Sequence, residues 1–445
     1  MDPEQIRHQE VARELALAMT ADRPAITACL ACLALAVVAP AVQGQQTDPR
    51  LIELLETNRH PVAITSGRLA GSGGELLTGA GRASRFVLVG EEHGIAEIPL
   101  FTAAWFRSLV PWGYRHLAVE VGPDAGVLLD SLARVGPRAL AEFQEARSPG
   151  FPFFILESES RLLVDAVSEL PDVDDVIWGI DYDILGDRYL FPVLEAAARD
   201  DDARKVVAEV REMADAGLSQ VIETGNPGAL LLWSAPDDPF IRLREAIDPE
   251  PGSRADRVIE TMQETARINR LFLSGQNWDS NHARAGWLKL SMSRHLDAAR
   301  TRGEAHPRAL VKLGANHAYR GLNQTRQYDV GTMLAQVAEA EGSGSFHLLV
   351  VGGPDTRRSQ FNPIALSYET EAAGMLSVIL PTQALVLPDA WTLFDFRPFR
   401  AAIHERRVDV TQELFDLVFN FDAVLVMTGS TPARPWFDPG VALRR

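Results

Sequence analysis

The sequence predicts an α/β fold, in which a mainly parallel central sheet is flanked by helices and carries a large helical insertion or cap. Apolar runs with little internal alternation are separated by stretches with helical spacing, which is typical of parallel strands covered on both faces. Four of these runs end in, or are closely followed by, a His, Glu or Asp. The segment from about 135 to 305 has a mostly helical pattern, which is more helix than single crossover connections need.

The first predicted elements alternate between strand and helix. A short amphipathic helix is expected at 51–58 and a loop at 71–74, where the sequence reads Gly-Ser-Gly-Gly. The sheet then begins with a strand at 85–89, a helix at about 96–110, a strand at 116–121 and a helix that opens at Gly122-Pro123-Asp124.

The remaining elements complete the sheet after the helical insertion. Within the insertion, a strand is expected at 176–181, and helical patterns run through 187–224, 238–248, 253–275 and 279–303. Further strands are predicted at 309–314, 346–351, 384–388 and 421–427. We therefore expect a single α/β domain over 45–445, preceded by an N-terminal extension and signal peptide over 1–44.

The N-terminal segment indicates export to the periplasm or the extracellular space. Residues 25–42 carry no charge, Arg23 precedes them and the small residues Ala39-Pro40-Ala41 stand near their end, as in a secretory signal peptide. The apolar core is shorter than the roughly 20 residues of a spanning helix, and an uncleaved anchor is the alternative. Translation is hypothesised to begin at Met19. Cys29 and Cys32 both lie in this segment, so the mature protein is expected to contain no disulfide and no thiolate site.

Composition narrows the class of partner. A hydrophobic content of 46% and a charged content of 23% are ordinary for a soluble globular protein. The net charge of -17, without any Lys/Arg-rich run, excludes a nucleic-acid footprint, which would be basic. The expected partner is a small-molecule substrate, and membrane contact is expected only through an uncleaved signal segment.

Two copies of a Gly-x-x-His pattern identify the candidate site. Residues 90–94 (Gly-Glu-Glu-His-Gly) and 314–317 (Gly-Ala-Asn-His) each follow an apolar run. Glu120 and Asp181 end two further runs. Because ligands of parallel α/β sheets bind beyond the carboxyl ends of the strands, these side chains are expected to meet at one edge.

Each candidate has a structural alternative. His93 is interpreted as a general base or metal ligand oriented by Glu91 or Glu92, and otherwise as a cap of the following helix; His317 stands in the same setting. Glu120 fits a structural salt bridge as well as catalysis. A turn or helix N-cap is favoured for Asp181. Arg284 lies in a predicted helix, where most arginines are solvated or structural.

These motifs resemble those of the erythromycin-esterase-like proteins and of the wider group that contains the Tiki-type, TraB/GumN and ChaN haem-uptake proteins. The resemblance spans roughly 80–430 and rests on short blocks: 90–94 with Glu97, 113–120, 179–181, 281–288, 314–321, 393–397 and 421–427. One residue separates Glu91 from His93, where the esterases usually have two, so the first block is closer to the Gly-x-x-His of the wider group.

The resemblance implies a hydrolase, which the signal-like N-terminal segment would direct to export. In the first hypothesis His93 activates water against an ester or lactone carbonyl, Glu91 or Glu120 orients His93, and Arg284 and His317 stabilise the oxyanion. The second is a divalent-metal-dependent peptidase or hydrolase of Tiki type, with His93, Glu120 and His317 as ligands. The third, following ChaN, is a haem or small-molecule binding protein. The expected cofactor is thus none or one divalent metal ion.

Overall fold

The computed structural model describes residues 48–147, 156–359, 370–371 and 376–437. The predicted signal segment lies outside the described residues. Within them, no helix is long and apolar enough to cross a membrane.

The centre of the molecule is a mixed sheet of nine strands. Its strands are β1 (Arg59–Thr65), β2 (Arg68–Ala70), β3 (Phe86–Glu91), β4 (Tyr114–Val119), β5 (Ile177–Gly179), β6 (Arg308–Gly314), β7 (Ser345–Gly352), β10 (Trp391–Asp395) and β11 (Ala423–Met427). Their order is β2-β1-β10-β11-β7-β3-β6-β4-β5. The run from β11 to β5 is parallel, and β10, β1 and β2 extend it antiparallel. The strands β8 (Arg357–Arg358) and β9 (Thr370–Glu371) form a separate pair.

Helices cover both faces of the sheet. They are α1 (Pro49–Thr57), α2 (Gly71–Ala83), α3 (Glu97–Leu109), α4 (Pro123–Val135), α5 (Pro137–Ala146), α6 (Glu157–Glu169), α7 (Asp187–Ala197), α8 (Asp201–Thr224), α9 (Leu231–Ser234), α10 (Asp238–Ile247), α11 (Arg254–Leu273), α12 (Asn277–Thr301), α13 (Val330–Ala340), α14 (Leu376–Ile379), α15 (Arg397–His404) and α16 (Gln412–Asn420). The predicted α/β fold with a mainly parallel sheet and helical insertion is confirmed. Helices α4 to α12, with the short strand β5, occupy the chain between β4 and β6.

Alternation along each central strand explains the uninterrupted apolar runs. Successive side chains of a strand point to opposite faces. In β3, Val87 and Val89 join one apolar cluster, whereas Phe86 and Leu88 join the cluster on the other face. A strand covered on both sides has no polar face, so its sequence reads as continuously hydrophobic.

Two sequence predictions were wrong in the edge regions. The predicted strand at 384–388 is a 3₁₀ turn over Gln383–Leu385, where the Thr382 hydroxyl accepts from Ala384 N, and the strand β10 follows instead. Pro388 also lacks the N–H that a ladder needs. The predicted loop at 71–74 opens helix α2. A Cβ on Gly73 would lie 2.5 Å from Val62 Cγ2, so these glycines let α2 approach the β1–β2 hairpin closely.

Candidate active site

Strand order places the predicted residues at one edge of the sheet. Strands β3, β6, β4 and β5 are neighbours, and the register aligns Glu91 with Gly314, and Val119 with both Lys312 and Gly179. The segments that follow these strands therefore leave the sheet at the same level. The structure brings together His93, Glu91, Glu120, His317 and Arg284, which we call the rim cluster.

His93 is held between two carboxylates. Its Nδ1 lies 2.8 Å from Glu91 Oε1 and its Nε2 lies 3.6 Å from Glu120 Oε2. The alternative of a helix cap does not hold, because α3 begins after Ala96 without a side-chain cap. Gly94 makes the turn away from β3 with φ of +91°, and a Cβ there would lie 2.2 Å from the Ser359 carbonyl oxygen. The turn thus fixes His93 over the rim.

A buried lysine stands behind Glu91. Lys312 Nζ donates to Glu91 Oε1 at 2.7 Å and to Glu159 Oε1 at 2.8 Å, and all three side chains are buried. Burial opposes the charge on Glu91, but Lys312 and His93 outweigh it and lower the pKa of this carboxyl. Burial, with a contribution from Glu91, raises the pKa of Glu159 to about 7, against the effect of Lys312. The cluster therefore keeps Glu91 ionised beside His93.

Glu120 is the common centre of the rim cluster. Its Oε2 accepts from Gly314 N at 2.8 Å, and its Oε1 accepts from Arg284 Nη2 at 2.7 Å. Although burial opposes the charge, His93, Arg284 and His317 lower the pKa of Glu120 to about 2. The structural salt bridge predicted for Glu120 is therefore present, and it stands within reach of both histidines.

His317 repeats the arrangement of His93 from the neighbouring strand. Its Nδ1 lies 2.9 Å from Asp329 Oδ2 and its Nε2 lies 3.9 Å from Glu120 Oε1. Asp329 is also the N-cap of α13, where it accepts from Val330 N. Burial opposes protonation of both rings. Glu120 and Glu91 nevertheless raise the pKa of His93, and Asp329 raises that of His317.

Arg284 connects the carboxylates that follow β4 and β5. Its Nε and Nη2 donate to the two carboxylate oxygens of Asp181 at 3.1 and 2.5 Å, in addition to the bond to Glu120. The Tyr182 ring lies 4.9 Å from the guanidinium, and Trp287 Nε1 donates to the Asp181 carbonyl at 2.9 Å. Arg284 is thus buried and doubly paired. Asp181 accepts from Tyr182 N, as in the turn predicted for it.

Gly314 and Glu92 pack the two motifs against their neighbours in the sheet. A Cβ on Gly314 would lie 2.7 Å from His93 Nε2, so only glycine lets β6 pass this close to the ring. Glu92 accepts from Gly352 N at 2.9 Å. Glu91 therefore contacts the His93 ring, whereas Glu92 supports the neighbouring strand β7.

Three residues of the site's surroundings were missed from the sequence. Lys312 gave a signal, because a lysine inside the apolar run 309–313 requires a buried partner. Glu159 and Asp329 gave none, since each reaches the site from a separate helix terminus. Of the other motif residues, Arg320 pairs with Asp422, and Glu97 accepts from Thr431, so neither joins the rim cluster.

Over the ranges that the structure describes, no group of three or more His, Cys, Asp or Glu side chains is arranged to hold a metal ion. Glu120 already accepts from Arg284 and Gly314 N. The three ligands of the metal hypothesis, His93, Glu120 and His317, do lie together at the rim.

Comparison with known proteins identifies the fold. No protein-family model matches the chain, and no curated protein matches it either. Among solved structures, a Bacillus cereus protein and a succinoglycan biosynthesis protein each match with a TM-score of 0.54 and 12% identity, covering 88% of this chain and 100% of theirs. Erythromycin esterase EreC, a histidine-to-asparagine mutant in its open conformation, matches with a TM-score of 0.51 and 16% identity, covering 82% of this chain and 95% of its own.

The chain therefore has an erythromycin-esterase-like fold. At these identities the likeness concerns the fold alone. The grouping with Tiki-type, TraB/GumN and ChaN proteins stays a prediction from the sequence.

Proposed function

We propose that this protein is a hydrolase that uses His93 to activate water against an ester, lactone or related carbonyl. The observation that carries the proposal is the convergence of two histidines and an arginine on the buried carboxylate of Glu120 at the carboxyl edge of the sheet. Such edges are where α/β folds bind their substrates. The fold shared with an erythromycin esterase supports the same reaction class.

His93 has the geometry of a general base. A proton on Nδ1, assigned here from the carboxylate of Glu91, leaves the Nε2 lone pair to take a proton from water. The resulting hydroxide attacks the carbonyl carbon and forms a tetrahedral oxyanion. The proton then passes from Nε2 to the departing alkoxide as the carbon–oxygen bond breaks, so ester and water give acid and alcohol.

His317 and Arg284 are proposed to stabilise the developing negative charge. The raised pKa of His317 favours its protonated, donating form, and its Nε2 faces the same side of Glu120 as Arg284 does. A charged donor that is fixed before the reaction contributes most when water is excluded. Asp181 and Glu120 are proposed to hold the guanidinium in place.

The proposal is tested with the purified full chain against a panel of aryl, alkyl and lactone substrates. His93→Asn is expected to lower kcat/KM by about 10²–10⁴-fold in a protein that still unfolds in one cooperative transition. His404→Asn, an exposed histidine at the end of α15, is the matched control and is expected to have no effect. A chain that hydrolyses no panel member, or a His93→Asn variant with full activity, would reject the proposal.

Elemental analysis of the same preparation distinguishes the metal-dependent alternative from the metal-free scheme. A stoichiometric divalent metal, together with loss of activity in chelator, would favour it over the metal-free scheme. Unchanged activity after chelation would remove it.

We further propose export through residues 25–42. N-terminal sequencing of the protein secreted by an expressing cell is expected to begin after Ala41. Recovery of the soluble protein with these residues intact would contradict export with cleavage.

A further inference from the structure

An aromatic pocket lies beside the rim cluster, between the β5–α7 connection, α11, α12 and the segment before Gln327. Its volume is about 340 Å³, within the range of about 300–1,000 Å³ typical of small-molecule sites. Its walls include Tyr182, Trp233, Phe272 and Trp278. We call this space the aromatic pocket.

The aromatic pocket and the rim cluster share Arg284. This side chain lines the pocket and donates to Glu120 at 2.7 Å. Glu120 in turn lies 3.6 Å from His93 Nε2. A molecule that fills the pocket is therefore separated from the proposed general base by two side chains, Arg284 and Glu120, and lies next to the rim cluster.

Two tryptophans give the pocket flat aromatic walls. Trp233 is 5% exposed and fixed by its surroundings. Trp278 is 53% exposed and stacks on His282 with ring centroids 5.0 Å apart. The pocket thus offers aromatic surfaces on which a planar ring can stack.

The charge of the pocket differs from that of the whole protein. The chain carries a net charge of -17, yet no Asp or Glu is among the described residues that line this pocket. Arg284 is neutralised by Asp181 and Glu120. Arg326, at the exposed end, forms no ion pair within the described part of the chain, so the pocket keeps one positive charge.

We propose that the aromatic pocket binds the aromatic part of an ester substrate that carries a negatively charged group. The ring lies against the aromatic walls, and the anionic group reaches Arg326. The inference rests on the proposed hydrolase function, because it places the scissile carbonyl next to Glu120.

Three acetate esters that share a naphthyl ring and differ in charge test whether the pocket prefers an anionic substrate. They are 6-acetoxy-2-naphthoate, which is anionic, neutral 2-naphthyl acetate, and the cationic 6-acetoxy-2-naphthylmethylammonium. We expect kcat/KM to fall by about tenfold from the anion to the neutral ester, and again to the cation. Ethyl acetate, which lacks the ring, is expected to be the poorest substrate. Equal values for the three naphthyl esters would overturn the proposal.

Two variants locate the preference in the pocket. Arg326→Gln is expected to remove the distinction between the anionic and neutral esters, mainly through KM. Trp278→Ala, which removes an exposed aromatic wall, is expected to raise KM by about tenfold for both. Arg406→Gln, an exposed arginine elsewhere that also has a positive φ, is the matched control. An unchanged charge preference in Arg326→Gln would reject its role.

A binding measurement separates failure of the pocket from failure of the reaction. The product 6-hydroxy-2-naphthoate is titrated into His93→Asn, and quenching of tryptophan fluorescence reports binding. Binding that Arg326→Gln weakens by about tenfold, in a protein that hydrolyses no ester, would support the pocket and reject the proposed function. Ester hydrolysis without such binding would reject the pocket and keep the function.

Discussion

The two histidine arms of the site share a sequence pattern but are stabilised differently. Each histidine follows a Gly-x-x spacing after one of two paired strands, and each places Nδ1 on a carboxylate and Nε2 towards Glu120. In the first arm the carboxylate is Glu91, two residues from its histidine and tied to the buried Lys312. In the second it is Asp329, the N-cap of α13.

The difference shows that one geometry can arise from two kinds of support. Glu91 is ionised because a buried lysine compensates it, so the first arm depends on a charge cluster inside the protein. Asp329 is held by a helix terminus, whose N–H groups favour an anion without a buried cation. We therefore expect the first arm to be sensitive to loss of charge and the second to tolerate it.

The largest effect expected is loss of the general base in the first arm. His93→Asn should lower kcat/KM by about 10²–10⁴-fold, the usual contribution of general acid–base catalysis. His317→Asn should lower it by about 10²–10³-fold, as for a lost oxyanion donor. Steady-state kinetics on the best ester of the panel measures both. A larger loss at His317 than at His93 would reverse the roles given to the two arms.

The next effect concerns stability, and it separates the two kinds of support. Lys312→Met leaves Glu91 and Glu159 buried without their cation, so we expect a loss of about 3–5 kcal/mol in the free energy of unfolding. The loss should be greater at pH 8 than at pH 6, because the pKa of Glu159 is about 7 and the proton bound at lower pH removes one negative charge.

Urea unfolding of the wild type and of three variants, Lys312→Met, Lys289→Met and Asp329→Asn, measures these changes in the free energy of unfolding. Lys289→Met, at a partly exposed lysine that donates to the Tyr328 carbonyl, is the matched control and should change stability by less than about 1 kcal/mol. Asp329→Asn should also cost less than about 1 kcal/mol, because Asn caps a helix as well as Asp does. A loss at Asp329 equal to that at Lys312 would contradict the contrast between the arms.

The next smaller effect is the pH dependence of activity, which also distinguishes the two arms. Against burial, Glu120 and Glu91 raise the pKa of His93 above 6.5. The base acts unprotonated, so kcat/KM should rise with pH through that raised pKa. Glu91→Gln should move the inflection to lower pH by on the order of one unit, whereas Asp329→Asn should leave it in place.

A pH–rate profile between pH 5 and 9 gives the inflection for each variant. Stability should respond in the opposite sense: the contribution of the raised pKa of His93 is complete below pH 6.5 and is lost as pH rises through its folded value. An inflection that moves in Asp329→Asn and not in Glu91→Gln would be evidence against the orienting role of Glu91.

The smallest effect is expected at Arg320, the arginine three residues after His317. Its partner Asp422 also accepts from Arg400 and from His347 N, so Arg320→Gln should cost about 1 kcal/mol of stability and leave kcat unchanged. Thermal unfolding and the same ester assay test it. A loss of kcat would place Arg320 in the reaction.

The sequence pattern was enough to predict the parallel part of the sheet, the two Gly-x-x-His blocks and the carboxylate of Glu120, but not β1 and β2. Parallel strands buried on both faces must read as apolar runs, and the residues after them must share an edge. This argument reached His93, Glu91, Glu120 and His317 without knowledge of the contacts between them, whereas Arg284, which lies in a helix, was named through the family resemblance.

The folded structure was needed to identify the partners that complete the site. Lys312 and Glu159 meet because β6 inserts between β3 and β4, and α6 then lies against Glu91 from another part of the chain. Asp329 reaches His317 because α13 begins there. Local patterns record the period of an element but not which distant helix end faces it, so these buried charge pairs had to be seen in three dimensions.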